Sequence, residues 1–444
     1  MTLAVSTAIT DITPSVGLPM GGYGTDTDPR LSTGTRAALH ARCVILWDNG
    51  WPNAIISLDL LGLPRALHQN IRTQLLPLAG WLSSDIIITT THTHGGPALP
   101  GEALDPGIAY NLTDTTAIDA YATSLVTQVV GCVQAALAAT QTACTLDYQT
   151  TSQTWSSNRE GLPYTETAVP VLVARSSTGI PRVALFGYGC HSVTAGLQTL
   201  WDGDYPGGAC AEIESALPGC TALFIPGPAG DQDPPGGRGW ALRDTLSTQL
   251  GQAVATAAQT AGRTLSGPIS TSLTEVELPL DITDAPPNLA AVRACYVARA
   301  SNPAELAWYR RHAVAMIAAI DGHDFAMTVP LPIQVWRLVG SPMLRICLTG
   351  GELVSGYGAY FRNRFGGANE LIIGSYANEC PAYIPSNELL PPIRSGGSYA
   401  GGWDTDYPGI AGGSMTVYPH LGRFLAGSSG VESTLINAIT AQLG

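Results

Sequence analysis

Two kinds of apolar pattern alternate along this chain, and together they limit the folds that it can adopt. Short unbroken apolar runs bounded by Gly or Pro, such as "ALFIPG", are typical of strands buried on both faces of a sheet. Longer stretches such as "PRALHQNIRTQLL" repeat their apolar residues every three or four positions, which is typical of amphipathic helices. Further helices are predicted around 115–140, 206–217, 240–261, 303–321 and 430–443. The alternation predicts an α/β fold with a mostly parallel or mixed central sheet flanked by helices.

One hairpin and the spread of turn residues bear on domain organisation. "HARCVILWDNGWPNAIISLDLLG" predicts two strands joined by a turn at Asp48, Asn49 and Gly50. The 50 glycines and 32 prolines are distributed through short connections rather than pooled in a linker. This distribution favours one compact unit.

The charged residues exclude several classes of function. All 21 basic residues are arginines, so mechanisms that need a lysine Schiff base or a P-loop lysine are excluded. The net charge of −13 argues against nucleic acid or an anionic membrane surface as the main partner. We therefore expect a small-molecule substrate and no stable membrane association, and the sequence leaves open whether the chain forms a homo-oligomer.

The cysteines and the N-terminus bear on the cellular compartment. The nine cysteines are odd in number and include no C-x-x-C pair, so they predict neither a zinc ribbon nor a disulfide framework. The N-terminal "MTLAVSTAITDITP" lacks the basic start and long apolar stretch of a secretory signal. A cytoplasmic location is predicted, and secretion after processing is the alternative.

Polar side chains follow five of the predicted strands directly. They are His92 and His94 after "DIIITT", Cys190 and His191 after "RVALFGYG", Asp231 and Asp233 after "ALFIPGPAG", Glu352 after "MLRICLTGG", and Asn378 and Tyr383 after "ELIIG". In open α/β sheets, ligands bind beyond the carboxyl ends of the strands. His92 and His94 lie two residues apart, so in an extended segment their side chains would share one side.

Each of these residues also has a purely structural interpretation. A lone histidine such as His191 is more often hydrogen bonded than metal bound, Asp231 and Asp233 are ordinary turn formers beside Gly and Pro, and Glu352 could be an exposed cap. The regular placement of the whole set favours a metal or acid-base site. H-E-x-x-H, G-x-S-x-G and the P-loop pattern are all missing, so the common hydrolase and nucleotide templates do not apply.

The ordered motifs resemble one known family. They are "AITDITPSVGLPMGGYGT", "LDLLGLPRAL", "TTTHTHGGPA", "SNRE", "GYGCHSVTAG", "DGDYPGGACAEIE", "FIPGPAGDQDP", "TGGELVSG" and "YANECPAYIPSNE". In this order they resemble the catalytic domain of the neutral (non-lysosomal) ceramidases. The resemblance implies that 1–444 form a single ceramidase-like catalytic domain, without the C-terminal β-sandwich domain of full-length ceramidases.

The resemblance also implies roles for individual residues. The implied zinc ligands, for one Zn²⁺ per chain, are His92, His191, Glu352 and Tyr383. His94 resembles the histidine beside the nucleophile, and Arg159 in "SNRE" resembles the arginine that holds the scissile group. The "GDVSP" loop of ceramidases carries a serine nucleophile, whereas this chain reads "GDQDP" with Asp233 at that position.

The leading hypothesis is a zinc-dependent hydrolase that cleaves an amide or related bond in a small polar substrate. Zinc-activated water would replace the missing serine, with Asp233 or His94 taking its proton, Arg159 stabilising the oxyanion and Asp231 orienting the loop. Asp233 as a covalent nucleophile is a less favoured variant of this hypothesis.

Two alternatives stay open. One is a zinc-dependent carbohydrate-active hydrolase or lyase, in which the sugar-binding residues of "GGWDTDYPG" are Trp403, Asp404 and Tyr407. The same stretch could instead be a Gly-rich turn held by one buried Trp. The other alternative is a binder that kept the fold and lost the nucleophile.

Overall fold

The computed structural model describes residues 2–101, 104–282 and 289–444. In chain order the strands are β1 (Leu3–Asp11), β2 (Gly34–Thr35), β3 (His40–Asp48), β4 (Trp51–Leu58), β5 (Ile86–Thr90), β6 (Thr142–Ser152), β7 (Ser157–Asn158), β8 (Ala168–Ser176), β9 (Pro181–Tyr188), β10 (Leu200–Trp201), β11 (Thr221–Pro226), β12 (Gln232–Asp233), β13 (Arg263–Pro279), β14 (Thr328–Gly340), β15 (Leu344–Thr349), β16 (Glu352–Leu353), β17 (Leu371–Gly374) and β18 (Tyr383–Ile384).

The α-helices are α1 (Arg65–Ala79), α2 (Pro106–Tyr110), α3 (Thr116–Ala138), α4 (Asp204–Ala216), α5 (Trp240–Gln259), α6 (Leu289–Ala300), α7 (Ala307–Gly322), α8 (Ser355–Arg364) and α9 (Val431–Leu443). Short 3₁₀ turns lie at Ser83–Asp85, Gly367–Asn369, Asn387–Leu389 and Gly413–Val417. The six helices predicted from apolar spacing are confirmed to within a few residues. The spacing missed α2, α6 and α8. The sequence of α8, "SGYGAYFRNR", contains two glycines and few apolar residues.

The predicted α/β class is confirmed, and the central sheet is mixed. Within the described residues, twelve strands form one sheet with the main order β17-β15-β14-β13-β6-β1-β3-β4-β5, and β8, β9 and β11 branch from β6. The β4–β5, β9–β11 and β15–β17 pairs are parallel, and the other pairs of this sheet are antiparallel. The predicted hairpin is the β3–β4 pair, with Asn49 and Gly50 at φ 49° and 85° as its turn.

All twelve strands of the large sheet contribute to one buried core. One core cluster consists of buried strand residues together with Ala377, which follows β17. Ile87 belongs to this cluster, whereas its neighbours Ile86 and Ile88 pack under α1 and α3 on the opposite face. Helices α4 and α5 cover β8, β9 and β11, and α8 and α9 lie in a further cluster with β14, β15 and β17. Helices therefore flank a sheet that is buried on both faces.

Helix α3 is the one described helix that is long and apolar enough to cross a membrane by length and composition. In this structure it packs on β1 and β3, and its buried residues other than Ile118 belong to the core cluster under α1 and α3. The core helix of a soluble protein passes the same composition test. The expected absence of stable membrane association stays a prediction.

A buried histidine on α7 should make stability depend on pH. Burial lowers the pKa of His312 from 6.5 to about 3. Below about pH 6.5 the unfolded chain takes up a proton that the folded chain does not, so folding stability should fall by about 1.4 kcal/mol per pH unit as pH drops toward 3. We expect His312→Gln to reduce the slope of unfolding free energy against pH between 6 and 4, as measured by urea denaturation. His323→Asn, at an exposed position whose left-handed backbone asparagine tolerates, is the control. Equal slopes in His312→Gln and wild type would contradict the prediction.

Candidate metal centre

The predicted site residues follow strands that pair in parallel. β5 precedes His92, β9 precedes His191, β11 precedes Asp231, β15 precedes Glu352, and β17 leads to Tyr383. These five strands belong to the three parallel pairs, whose carboxyl ends open toward one region. The short parallel pair β16–β18 then places Glu352 directly opposite Tyr383.

The segment that follows β17 joins the ends of the other strands. The amide of Ser375 donates to Pro226 O at the end of β11, and the amide of Asn378 donates to Ile88 O in β5. These two bonds bring the ends of β5, β11 and β17 together. The tertiary fold thereby gathers side chains that lie far apart in the sequence.

His92 reaches the centre by a different backbone path from the one predicted. An extended segment was expected, but β5 ends at Thr90 and His92 has φ 58°, in the left-handed region. The two histidines still converge, with His92 Nε2 and His94 Nε2 3.4 Å apart. Gly22 permits this packing, because a Cβ at Gly22 would lie 2.3 Å from His94 Nδ1.

Five potential ligand atoms meet in this buried space. His92 Nε2 and His191 Nε2 are 3.1 Å apart, and each lies 3.3 Å from Oε2 of Glu352. The hydroxyl of Tyr383 is 3.0 Å from His191 Nε2. The three imidazoles of His92, His94 and His191 form a buried group that could hold a metal ion. The resemblance implied that His94 lies beside the nucleophile and not among the ligands, so the geometry adds it as a candidate ligand.

The hydrogen bonds of His92 and His191 show which ring nitrogens carry protons. His92 Nδ1 lies 2.7 Å from Leu61 O, and His191 Nδ1 lies 2.8 Å from Ala229 O. A carbonyl oxygen only accepts, so both Nδ1 atoms must donate, and in neutral imidazoles this leaves the two facing Nε2 atoms unprotonated. Facing lone pairs at this distance repel unless a cation lies between them. The donor set therefore fits a metal ion, with the backbone carbonyls orienting the ligands.

The protonation states fit the same interpretation. Burial lowers the pKa of His92 to about 4, so its imidazole is neutral at pH 7. Burial, together with His92 and His191, lowers the pKa of His94 well below its usual value. Burial raises the pKa of Glu352, but the adjacent His92 and His191 outweigh this effect and bring it to about 2. Neutral imidazoles and a carboxylate are the forms that bind metals.

Two tyrosines that the sequence analysis did not select also contact the centre. The hydroxyl of Tyr418 donates to Glu352 Oε1 at 3.0 Å, and that of Tyr376 donates to Glu352 Oε2 at 3.4 Å. The ring of Tyr376 also packs against His92, with centroids 4.3 Å apart. Tyr376 is the first residue of the "YANEC" motif, so the motif could have identified it as a candidate site residue. The sequence around Tyr418 contains no motif that would have done so.

Arg159 connects this centre to the "GDQDP" loop. The antiparallel pair β7–β12 places Arg159 beside that loop. One guanidinium nitrogen donates to Tyr383 Oη at 3.0 Å and to Gly230 O at 2.7 Å, and the other lies 3.3 Å from Asp233 Oδ1. The remaining oxygen of Asp233 accepts from Arg238 at 2.5 Å. Both oxygens of Asp233 are therefore held by arginines.

Asp231 is fully buried and holds the loop in place. Its Oδ1 accepts from the Ser355 amide at 2.7 Å, and its Oδ2 accepts from Asn158 Nδ2 at 2.7 Å and from the Ser355 hydroxyl at 2.9 Å. These bonds join the loop after β11 to β7 and to the start of α8. The arrangement suits an orienting function better than direct proton transfer.

A cavity of about 270 Å³ opens onto the centre. The predicted site residues that line it are His92, His94, Arg159, His191, Glu352 and Tyr383. Neither Asp231 nor Asp233 is among the described residues that line it. The apolar and aromatic part of its wall includes Leu306, Trp308, Tyr309, Tyr399 and Tyr23.

The residues proposed for sugar binding lie elsewhere. Trp403 is 4% exposed in a hydrophobic core cluster, and its indole N–H donates to Leu389 O, so no ring face is open for stacking. Asp404 pairs with Arg299 at 2.6 Å, and Tyr407 lies against the same guanidinium. None of these three described residues lines the cavity. The buried-Trp interpretation of "GGWDTDYPG" therefore agrees with the structure, and the sugar-binding assignment of this loop is not supported.

Solved structures provide the comparison that decides the fold. A neutral ceramidase from Pseudomonas aeruginosa matches with a TM-score of 0.66 and 17% identity, covering 94% of this chain and 72% of the other. The chain has the neutral ceramidase fold. A structure described as a ceramidase complexed with C2 matches with a TM-score of 0.64 and 16% identity, covering 94% of this chain and 73% of the other. No protein-family model and no curated protein matches this chain.

The fold is established, and the chemistry of the site stays a prediction. The resemblance found in the motifs is confirmed at the level of the ceramidase fold. A buried three-histidine group that could hold a metal is present in that fold. The identity of the ion, the roles of individual side chains and the substitution of Asp233 for a serine stay predictions.

Proposed function

We propose that this chain is a metal-dependent hydrolase built on the ceramidase fold. The observation that carries the proposal is the pair of unprotonated Nε2 atoms of His92 and His191, 3.1 Å apart and adjacent to the Glu352 carboxylate. Neutral imidazoles carry no hydrogen on these two nitrogens, so the nitrogens cannot hydrogen bond to each other. The buried pair therefore fits a cation. The likeness to ceramidase structures supports hydrolysis as the chemistry.

Zinc is the metal that this donor set favours. Two or three imidazoles, one carboxylate and one tyrosine oxygen match its preference for nitrogen and oxygen ligands in a compact site. We assign His92, His191, Glu352 and Tyr383 as ligands of one ion per chain. Bound zinc would supply Lewis acidity and make a coordinated water more acidic.

The neighbouring side chains can serve the remaining steps of hydrolysis. Arg159 lines the cavity and contacts Tyr383, so its guanidinium can donate to an oxyanion that develops beside the centre. His94 is the favoured proton acceptor, because it lines the cavity and burial lowers its pKa, so its imidazole is neutral. Asp233 is less suited to this function, since it would first have to release an arginine.

The cavity size favours a small substrate. A volume of about 270 Å³ accommodates a compact molecule rather than a protein or nucleic acid. Together with the net charge of −13, this supports cleavage of an amide or related bond in a small polar compound. We propose no macromolecular partner.

The test is hydrolysis by purified protein of a panel of N-acyl amino acids, N-acyl amines and nitrophenyl esters. We expect turnover to be lost after chelation and restored by zinc alone. Arg159→Gln should lower kcat by about 10² to 10³, the effect of removing one oxyanion donor. Arg293→Gln, on the exposed face of α6 in an ion pair with Asp321, is the matched control and should retain wild-type turnover. Activity that survives both chelation and the Arg159 substitution would overturn the proposal.

A further inference from the structure

Two arginines make part of the wall of the cavity beside the metal centre positively charged. Arg159 and Arg238 both line it, and Glu352 is the one acidic side chain among the described lining residues. Glu352 faces the histidines and accepts from Tyr418, so it belongs to the centre. In a chain with a net charge of −13, this local reversal of sign indicates recognition of an anion.

Asp233 holds the two arginines from behind the cavity wall. Its carboxylate pairs with Arg159 at 3.3 Å and with Arg238 at 2.5 Å, yet Asp233 does not line the cavity. One negative charge therefore balances two positive charges, and one positive charge remains on the face that the ligand meets. The fork of N–H donors on a guanidinium matches the two oxygens of a planar carboxylate.

Another part of the wall is apolar and aromatic. Leu306, Trp308 and Tyr309, at the start of α7, line the cavity together with Tyr399. Trp308 packs over Gly24, where a Cβ would lie 3.0 Å from the indole ring. This packing keeps the indole in place against the Gly24 backbone. The wall suits an acyl chain or an aromatic ring.

We propose that the substrate is an N-acylated amino acid, whose carboxylate binds Arg238 and whose acyl group lies against Trp308 and Tyr309. This inference rests on the proposed hydrolase function of the same centre. Arg159 contacts both Tyr383 and Asp233, so it spans the short distance between an amide at the metal centre and a carboxylate at Arg238. A singly charged carboxylate also matches the single excess positive charge better than a doubly charged phosphate does.

The test compares the binding of N-benzoylglycine with that of its neutral analogue, N-benzoylglycinamide, by isothermal titration calorimetry. Protein as purified and protein after chelation are both titrated, so that a carboxylate bound by metal is distinguished from one bound by arginine. The variants are Arg238→Gln, Arg238→Lys, which keeps the charge, and Arg293→Gln as a remote control. We expect wild type and Arg293→Gln to bind the acid at least about tenfold more tightly than the amide in both preparations.

Arg238→Gln should reduce this preference to less than about twofold, and Arg238→Lys should retain part of it. Equal binding of the two probes by wild type, a preference that survives in Arg238→Gln, or a preference seen only before chelation would each overturn the inference. The measurement needs no turnover. A failure of hydrolysis with the predicted binding intact would therefore count against the proposed function alone, and hydrolysis without the binding preference would count against this inference alone.

Discussion

Replacing His92 and His191 together by alanine should remove the metal from this protein. The two Nε2 atoms face each other at 3.1 Å, and both lie 3.3 Å from Glu352 Oε2, so the double variant loses two donors from one small set. We expect elemental analysis to find about one zinc per chain in wild type and less than about a tenth of that in the variant, both prepared without added metal.

The control and a second measurement sharpen this result. His323→Asn changes an exposed histidine whose left-handed backbone, at φ 55°, asparagine tolerates, and it should keep the wild-type metal content. Added zinc should raise the Tm of metal-depleted wild type but not that of the double variant, because a ligand stabilises only a state that binds it. Wild-type metal content in the double variant would place the ion elsewhere. If wild-type protein contains no metal even after zinc is supplied, the assignment of a metal centre is wrong.

Removing the carboxylate of Asp204 should strongly destabilise the fold around His191. This buried side chain accepts from the amides of Thr194 and Ala195 at 3.0 and 2.9 Å and from the amide of Tyr205 at 2.8 Å. Alanine leaves these donors unpaired, and each costs about 1–3 kcal/mol. We expect Asp204→Ala to lower the free energy of unfolding by about 3–5 kcal/mol in urea denaturation.

The same substitution should weaken metal binding, because Thr194 and Ala195 lie three and four residues after His191 on the loop that carries it. Asp204→Asn keeps one acceptor oxygen and should lose about half as much stability. Asp324→Ala, at an exposed position after α7, is the control and should stay within about 0.5 kcal/mol of wild type. An Asp204→Ala protein as stable as the control would show that the buried carboxylate does not support this loop.

Most helices and strands could be predicted from the sequence, because the patterns that indicate them lie within short stretches of the chain. Apolar spacing predicted α3, α5 and α9 closely, and the Asp48-Asn49-Gly50 turn predicted the β3–β4 hairpin. Unbroken apolar runs such as 86–88 indicated strands buried on both faces, and Ile87 does pack on the opposite face from its neighbours. The polar side chains after those strands predicted a site near their carboxyl ends.

Contacts between distant segments could not be derived in this way. Periodicity does not specify which strands pair in parallel, so the choice between a mostly parallel and a mixed sheet needed the tertiary structure. Arg159 and Asp233 meet because β7 pairs with β12. Each of these strands has only two residues, which is too short to give a recognisable pattern in the sequence. The left-handed backbone of His92 likewise has no signal in the sequence around it.

The sequence by itself determined the α/β class, the positions of most helices and the residue types available for a metal site, since these follow from spacing and composition along the chain. The tertiary structure decided which of those residues meet. It brought Tyr418 and Tyr376 to Glu352, directed two arginines into the cavity, and placed Trp403 in a core. The physical reason is that burial and hydrogen bonding between remote segments depend on which strands pair, and no short stretch of sequence specifies this.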